Sequence, residues 1–223
     1  TQNGNAIHID LDKVEALPGQ TEPDILHTIQ LTPGVNNPFE TATGLFVRGG
    51  APNQNLVLWN GIKTYQQGHL FGMISAFNPY VAKDVDFLKK GVSAKYGDRV
   101  SGVIDIKSKN EITNKFRGGS GFNMTHADAV AHIPIITDKA SLQISGRRSY
   151  TDDLETYTYK QFSDRVFQNT KITETASYDD KSNNFFYADY NGNLIIKPSE
   201  NNTLEINTIY NRNDLNFKTD QNI

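Results

Sequence analysis

From Phe116 onward, apolar and polar side chains alternate one by one, a period that belongs to strands and not to helices. Phe116, Gly118, Ser120, Phe122 and Met124 fall on one face of the first segment, with Arg117, Gly119, Gly121 and Asn123 on the other. Ala129, Ala131, Ile133 and Ile135 continue the pattern, and Leu142 and Ile144 stand opposite Ser141, Gln143, Ser145 and Arg147. The last two segments show it most clearly. Phe186, Ala188, Tyr190, Leu194 and Ile196 oppose Tyr187, Asp189, Asn191, Asn193 and Lys197, and Leu204, Ile206 and Tyr210 oppose Glu205, Asn207 and Asn211. Five antiparallel strands are expected, each with one apolar face and one face polar enough for water.

That apolar face needs a cover, either the second sheet of a soluble sandwich or the lipid around a closed barrel, and period alone fits both. No apolar run approaches the ~20 residues of a membrane helix, so any crossing would be made by strands. Tyr190 and Tyr210, on the apolar face toward segment ends, fit the aromatic girdle of a barrel, and Asp189, Lys197 and Glu205 fit a wet interior. The connections alternate as well. Thr137-Asp138-Lys139 and Pro198 to Asn202 are tight turns, whereas Tyr150 to Asn183 is long, polar and rich in Thr, Tyr, Asp and Lys. Outer-membrane barrels have short turns on the periplasmic rim and longer loops outside, which would put the long connection outside the cell.

Before Asn110 the composition is mixed. Ile7 to Asp10 reads as a strand, and Thr21, Pro23 and Asp24 read as a helix start with Ile25, Leu26 and Ile29 on one face, stopped by Thr32-Pro33-Gly34. Leu45 to Arg48 and Leu56 to Trp59 read as short strands around a Gly- and Pro-bearing turn, and Val85 to Leu88 with Val103 to Ile106 complete a small sheet. Residues 1–110 are therefore expected to form an α+β unit and residues 111–223 the array of antiparallel strands. A net charge of -3 offers no basic surface to nucleic acid, and the absence of cysteine excludes disulfides and thiolate metal sites. Thr1 opens without a basic or apolar leader pattern, so no signal peptide is expected in these residues.

Five segments in order carry a family resemblance: LHTIQLTPGV (Leu26 to Val35), FVRGG (Phe46 to Gly50), NLVLWNGI (Asn55 to Ile62), DVDFLKKGVSAKYG (Asp84 to Gly97) and SGVIDIKSK (Ser101 to Lys109). Together they resemble the plug domain of TonB-dependent outer-membrane receptors, and SGRRSYTDDL (Ser145 to Leu154) is similar to the end of an early outward strand in their barrels. The resemblance implies an α+β plug, a small mixed sheet with short helices, followed by antiparallel strands of a transmembrane β-barrel. That barrel would be incomplete at about five strands of about 22. It further implies a place in the bacterial outer membrane and import of a scarce nutrient such as a ferric siderophore or other metal chelate. The partners it implies are outer-membrane lipid and TonB, met through a tail upstream of Thr1, since no TonB box precedes Ile7. It allows a companion surface lipoprotein and calls for no cofactor. Trp59-Asn60-Gly61 departs from the many members with a carboxylate before this glycine. A soluble envelope or cell-surface ligand-binding β-rich module is the competing reading.

The resemblance places three plug apices toward the outside: Asn36 to Glu40, Ala51 to Gln54 and Tyr65 to Phe71. Phe39 and Tyr65 would offer aromatic area to a ligand, and Asn53, Gln54, Gln67 and His69 neutral hydrogen bonds, although Asn, Gln and Gly are also ordinary turn residues. Family members lock the plug to glutamates on the barrel wall through arginines, and Arg48 and Arg99 are the matching positions. The competing reading for them is a local pair with Asp98 or Glu40. Catalysis and metal binding find no support. The five histidines lack i,i+4 ligand spacing, and Asp152, Asp153 and Glu155 read as a solvated acidic run.

Overall fold

The computed structural model describes residues 2–3, 6–18, 20–90, 93–168 and 184–216. The N-terminal half is a globule of short strands: β1 (Gln2–Asn3), β2 (Ala6–Asp10), β3 (Val35–Asn36), β4 (Phe46–Val47), β5 (Leu56–Trp59), β6 (Ile62–Lys63), β7 (Gly68–His69), β8 (Ile74–Ser75), β9 (Ala82–Leu88) and β10 (Val103–Ser108). One helix, α1 (Ile25–Gln30), packs on it. Longer strands follow, β11 (Arg117–Phe122), β12 (His126–Ile136), β13 (Ala140–Ser149), β14 (Asn184–Ser199) and β15 (Asn202–Asn216), with helix α2 (Tyr157–Phe167) between β13 and β14.

Helix α1 begins where its N-cap dictates, because the Asp24 carboxylate accepts from the His27 backbone N–H at 2.9 Å. It buries Ile25, Leu26 and Ile29 against Trp59, Phe77, Val85 and Phe87, each contributing ~1.5–3 kcal/mol. The globule's main sheet runs β1-β2-β9-β10-β5-β6, with β5 and β10 parallel and the other pairs antiparallel. Two turns of the globule close through paired left-handed residues, the type I′ pattern. Asn60 (φ 49°) and Gly61 (φ 80°) join β5 to β6, and Arg48 (φ 52°) and Gly49 (φ 84°) form the corner after β4, where the Gly50 N–H donates to the Val47 carbonyl at 2.9 Å.

The second sheet is an antiparallel meander in the order β11-β12-β13-β14-β15. Its register stacks outward rows across strands: Leu142 with Leu194 and Ile206, then Gly146 with Tyr190 and Tyr210. Ile206 is 50% exposed and Leu204 51%, so among the described residues no protein layer covers this face. Just past the tyrosine row, Arg148 and Arg212 lie over the Phe186 ring at 5.2 and 5.0 Å.

Against the expectation of a water-filled inner face, Gln143, Ser145, Arg147, Tyr187, Asp189 and Asn193 are buried, and Val130 and Ile209 pack on the globule's core. The globule packs on this face, and its Glu22, His69 and Ser75 take up hydrogen bonds of Arg147 and Asp189. A second difference lies in the long connection. Tyr150 to Asn183 reads as a polar loop, yet Tyr157–Phe167 is helical, with Thr156 as N-cap accepting from the Tyr159 N–H. Tyr159, Ser163 and Phe167 recur at the i, i+4, i+8 spacing of one helix face and are buried. The rest of that connection, residues 169–183, lies outside the described residues.

Candidate functional site

The densest polar chemistry lies where the globule meets the inner face of the meander. Arg147 and Asp189 are directly opposite on β13 and β14, so the pairing register alone brings opposite charges together. Arg147 donates through Nε and Nη2 to Asp189 Oδ2 at 2.9 and 2.6 Å, and both side chains are 1% exposed or less. The guanidinium then reaches across to the globule, where Nη1 donates to Glu22 Oε1 at 2.9 Å and Nη2 to the Ser75 carbonyl at 2.6 Å.

Two histidines complete the cluster. His69, from the globule, has Nε2 2.8 Å from Asp189 Oδ1 and Nδ1 2.7 Å from Asn213 Oδ1, and its ring stacks on Tyr187 at 4.3 Å. His126, from β12, has Nε2 3.2 Å from Glu22 Oε2 and Nδ1 2.8 Å from the Tyr187 hydroxyl. Asn211 Nδ2 donates to Asp189 Oδ1 at 2.7 Å and to the Ala76 carbonyl at 3.2 Å. Burial pushes the Glu22 carboxyl up, but Arg147 and His126 outweigh it and hold it below the ordinary carboxylate value. Lower down, Asn60 Nδ2 donates to Asn207 Oδ1 at 2.9 Å and Asn110 Nδ2 to the Glu205 carboxylate at 2.8 Å, two further clamps between the halves.

Arg48 and Arg99 do not make this contact. Arg48 sits at the exposed corner of its type I′ turn and forms no ion pair among the described residues, while Arg99 pairs with Asp98 at 3.1 Å. The polarity is reversed relative to the expectation: the cation comes from the strands and the carboxylate Glu22 from the globule. Arg147 and Asp189 had a sequence signal, as opposite charges at polar-face positions of successive strands. Glu22, beside a helix start, had none. Glu40 pairs across the halves too, with Arg165 of α2.

Of the residues expected at a ligand surface, Asn53, Tyr65 and Gln67 come together. They line a cleft of about 470 Å³ with Gln66, Leu70 and Phe71, closed on the strand side by Phe185, Asn213 and Leu215. Phe39 is exposed outside this lining, with its ring 5.9 Å from Phe46. Gln54 is exposed and accepts from the Ala51 N–H at 3.1 Å as a turn residue. His69 is a correction: it is fully buried beneath the cleft, held by Asp189 and Asn213, and offers nothing to solvent.

The cleft floor is a left-handed turn, with Leu70 at φ 47°, Phe71 at 54° and Gly72 at 88°. Non-glycine residues held there cost on the order of 1–3 kcal/mol each, and the surroundings enforce them. Tyr159 and Phe185 stack at 6.3 Å and share a buried cluster with Leu70, Met73 and Ile74, while Phe167 meets Phe71 edge-on at 5.8 Å. Elsewhere, His8, Asp84 and Asp86 bring ligand atoms within 4.8 Å of one another, but Lys107 Nζ, 2.5 Å from Asp86, already supplies a cation there.

Comparison with known proteins agrees with this architecture. Residues 6–104 match the TonB-dependent Receptor Plug Domain family. Among solved structures, the siderophore receptor PirA from Pseudomonas aeruginosa superposes with a TM-score of 0.59 at 16% identity, over 96% of this chain and 35% of its own. The outer membrane transporter YddB from Escherichia coli gives 0.59 at 12% identity, over 96% and 34%. At such identities the likeness speaks for the fold, and the chain spans about a third of the length of either receptor. No curated protein sequence matches it. The chain thus carries a TonB-dependent receptor plug domain, seated against antiparallel strands arranged as in the barrel of such a receptor.

Proposed function

We propose that this chain is the plug and opening barrel strands of a TonB-dependent outer-membrane transporter that imports a small-molecule ligand, a metal chelate in the first instance. The observation that carries the reading is the buried cluster around Arg147. Its upper end, His69, is one residue from the strained cleft floor Leu70-Phe71-Gly72, and its lower end, Glu22, is two residues from the cap of α1 in the N-terminal segment. A ligand pressing on the cleft floor therefore acts on the group that holds Asp189, and through Arg147 on the segment leading to the tail that TonB would pull.

Ligand must favour the released state over the locked one for this to signal at all. Breaking a buried pair costs ~3–5 kcal/mol, enough to keep the plug seated at rest and within reach of an energised pull. The siderophore named for PirA supports the chelate assignment by likeness of fold. The apolar outward rows fit a lipid environment, with the rim bearing α2 outside the cell.

The test uses the full-length gene. Its deletion should abolish growth on a ferric chelate supplied as sole iron source, and the complementing protein should fractionate with the outer membrane and require TonB. Growth unaffected by deletion across neutral, cationic and anionic chelates would remove the chelate assignment. A complementing protein that stays soluble without detergent would remove the transporter reading.

A further inference from the structure

Among the described residues, no charged side chain lines the cleft. Its polar groups are the amides of Asn53, Gln66, Gln67 and Asn213 and the hydroxyls of Thr43 and Tyr65, with Phe71, Phe185, Leu70 and Leu215 supplying apolar area. Charged groups beside the lining in sequence are already engaged: His69, between Gly68 and Leu70, with Asp189, and Arg212 and Asp214, which flank Asn213, with each other.

From this we infer that the plug-side subsite takes an uncharged, amphipathic ligand face and selects against anionic chelates. The inference rests on the transporter reading and narrows its substrate class. Recognition of an anion in a partly dehydrated site is strongest with guanidinium or ammonium donors, whose charge-assisted hydrogen bonds offset the loss of its hydration. Amides and hydroxyls each donate and accept, so they match a neutral ligand that carries both carbonyl oxygens and N–H or O–H groups. Tyr65 and Phe71, 77% and 67% exposed, add rigid aromatic area for its apolar side. The volume of about 470 Å³ admits one small molecule or one lobe of a larger one.

The test measures binding of two ferric chelates to the full-length receptor in detergent: a neutral tris-hydroxamate complex and a trianionic tris-catecholate complex. The neutral complex should bind tighter by roughly 10-fold or more, since the open cleft only partly dehydrates an uncompensated charge. Gln67→Arg, placing a cation in the cleft, should narrow that gap from both sides, while Gln30→Arg, on helix α1 away from the cleft, should leave it alone. Equal or tighter binding of the trianion by the natural protein overturns the charge selection and leaves the transporter standing. Binding of neither complex by a receptor that still shows heat-modifiable mobility overturns both the selection and the chelate assignment. A gap that Gln67→Arg fails to move shows that the selection arises elsewhere, and removes the assignment to this cleft.

Discussion

Glu22→Ala isolates the globule's side of the buried cluster. The carboxylate accepts one charge-assisted hydrogen bond from Arg147 at 2.9 Å and stands 3.2 Å from His126 Nε2. Its removal does not strip Arg147, which keeps Asp189 at 2.6 and 2.9 Å and the Ser75 carbonyl at 2.6 Å. The cost should therefore fall below the ~3–5 kcal/mol of an abandoned buried charge and near the ~1.5–3 kcal/mol of one hydrogen bond to a charged group. Two kilocalories correspond to about 30-fold in the opening equilibrium. Arg147→Ala, which strands both Glu22 and Asp189, should reach the larger range. The assay is plug release from the full-length protein, followed by conductance of planar bilayers in increasing urea. It carries a second readout in pH. The folded Glu22 carboxyl titrates below its ordinary value, so its stabilisation is complete above the ordinary carboxylate range and fades as pH falls through the lowered value. Natural protein and Glu22→Ala should thus differ at neutral pH and converge only in acid. Identical release at pH 7, or convergence on raising the pH, would refute the reasoning.

Three further outcomes follow from the packing. A Cβ on Gly72 would come within 2.1 Å of Thr43 Oγ1 at φ +88°, so Gly72→Ala should weaken ligand binding at the cleft, and adding Thr43→Ala should restore part of it, as titration of the full receptor would show. Ile206→Arg puts a charge in the outward apolar rows and should destabilise the barrel by ~2–4 kcal/mol in lipid refolding, whereas the same change in a soluble sandwich surface would cost little. Tyr159→Ala removes the stack on Phe185 and should raise hydrogen exchange through Tyr157–Phe167 while leaving the meander protected.

Much of the fold could be read from residues alone because short-range rules govern it. Alternation placed β11 to β15, and the inward and outward assignments within the paired stretches agree with the register, while Ile135 falls at a register shift that puts Ile136 opposite Ala140. Asn60-Gly61 ended β5 as such a pair should. Helix α2 was legible in principle, as Tyr159, Ser163 and Phe167 share one face, but the polar residues around it hid the period. What neighbour rules do not carry is where the two halves meet. The polar inner face reads as wet because alternation reports the polarity of a face and not what lies against it.

The same limit explains the arginines. Arg48 looks embedded when read as part of a strand, and it becomes a corner residue only because Gly49 lets the chain turn left-handed at once. Arg147 looks like one more lumenal cation, and only the register that sets it opposite Asp189, with the globule pressing Glu22 and Ser75 upon it, makes it the centre of the contact. An arginine on the strands suits this task. Its planar fork spans two carboxylates and a carbonyl at fixed angles, so losing Glu22 and Ser75 would still leave the cation paired with Asp189. Had the cation belonged to the plug, each departure would have left a bare carboxylate on the wall and a bare guanidinium on the plug. At the guanidinium itself the reversed polarity would leave Glu22 as the stranded group, while the His69–Asp189 and Glu40–Arg165 contacts add their own cost to any separation of the halves.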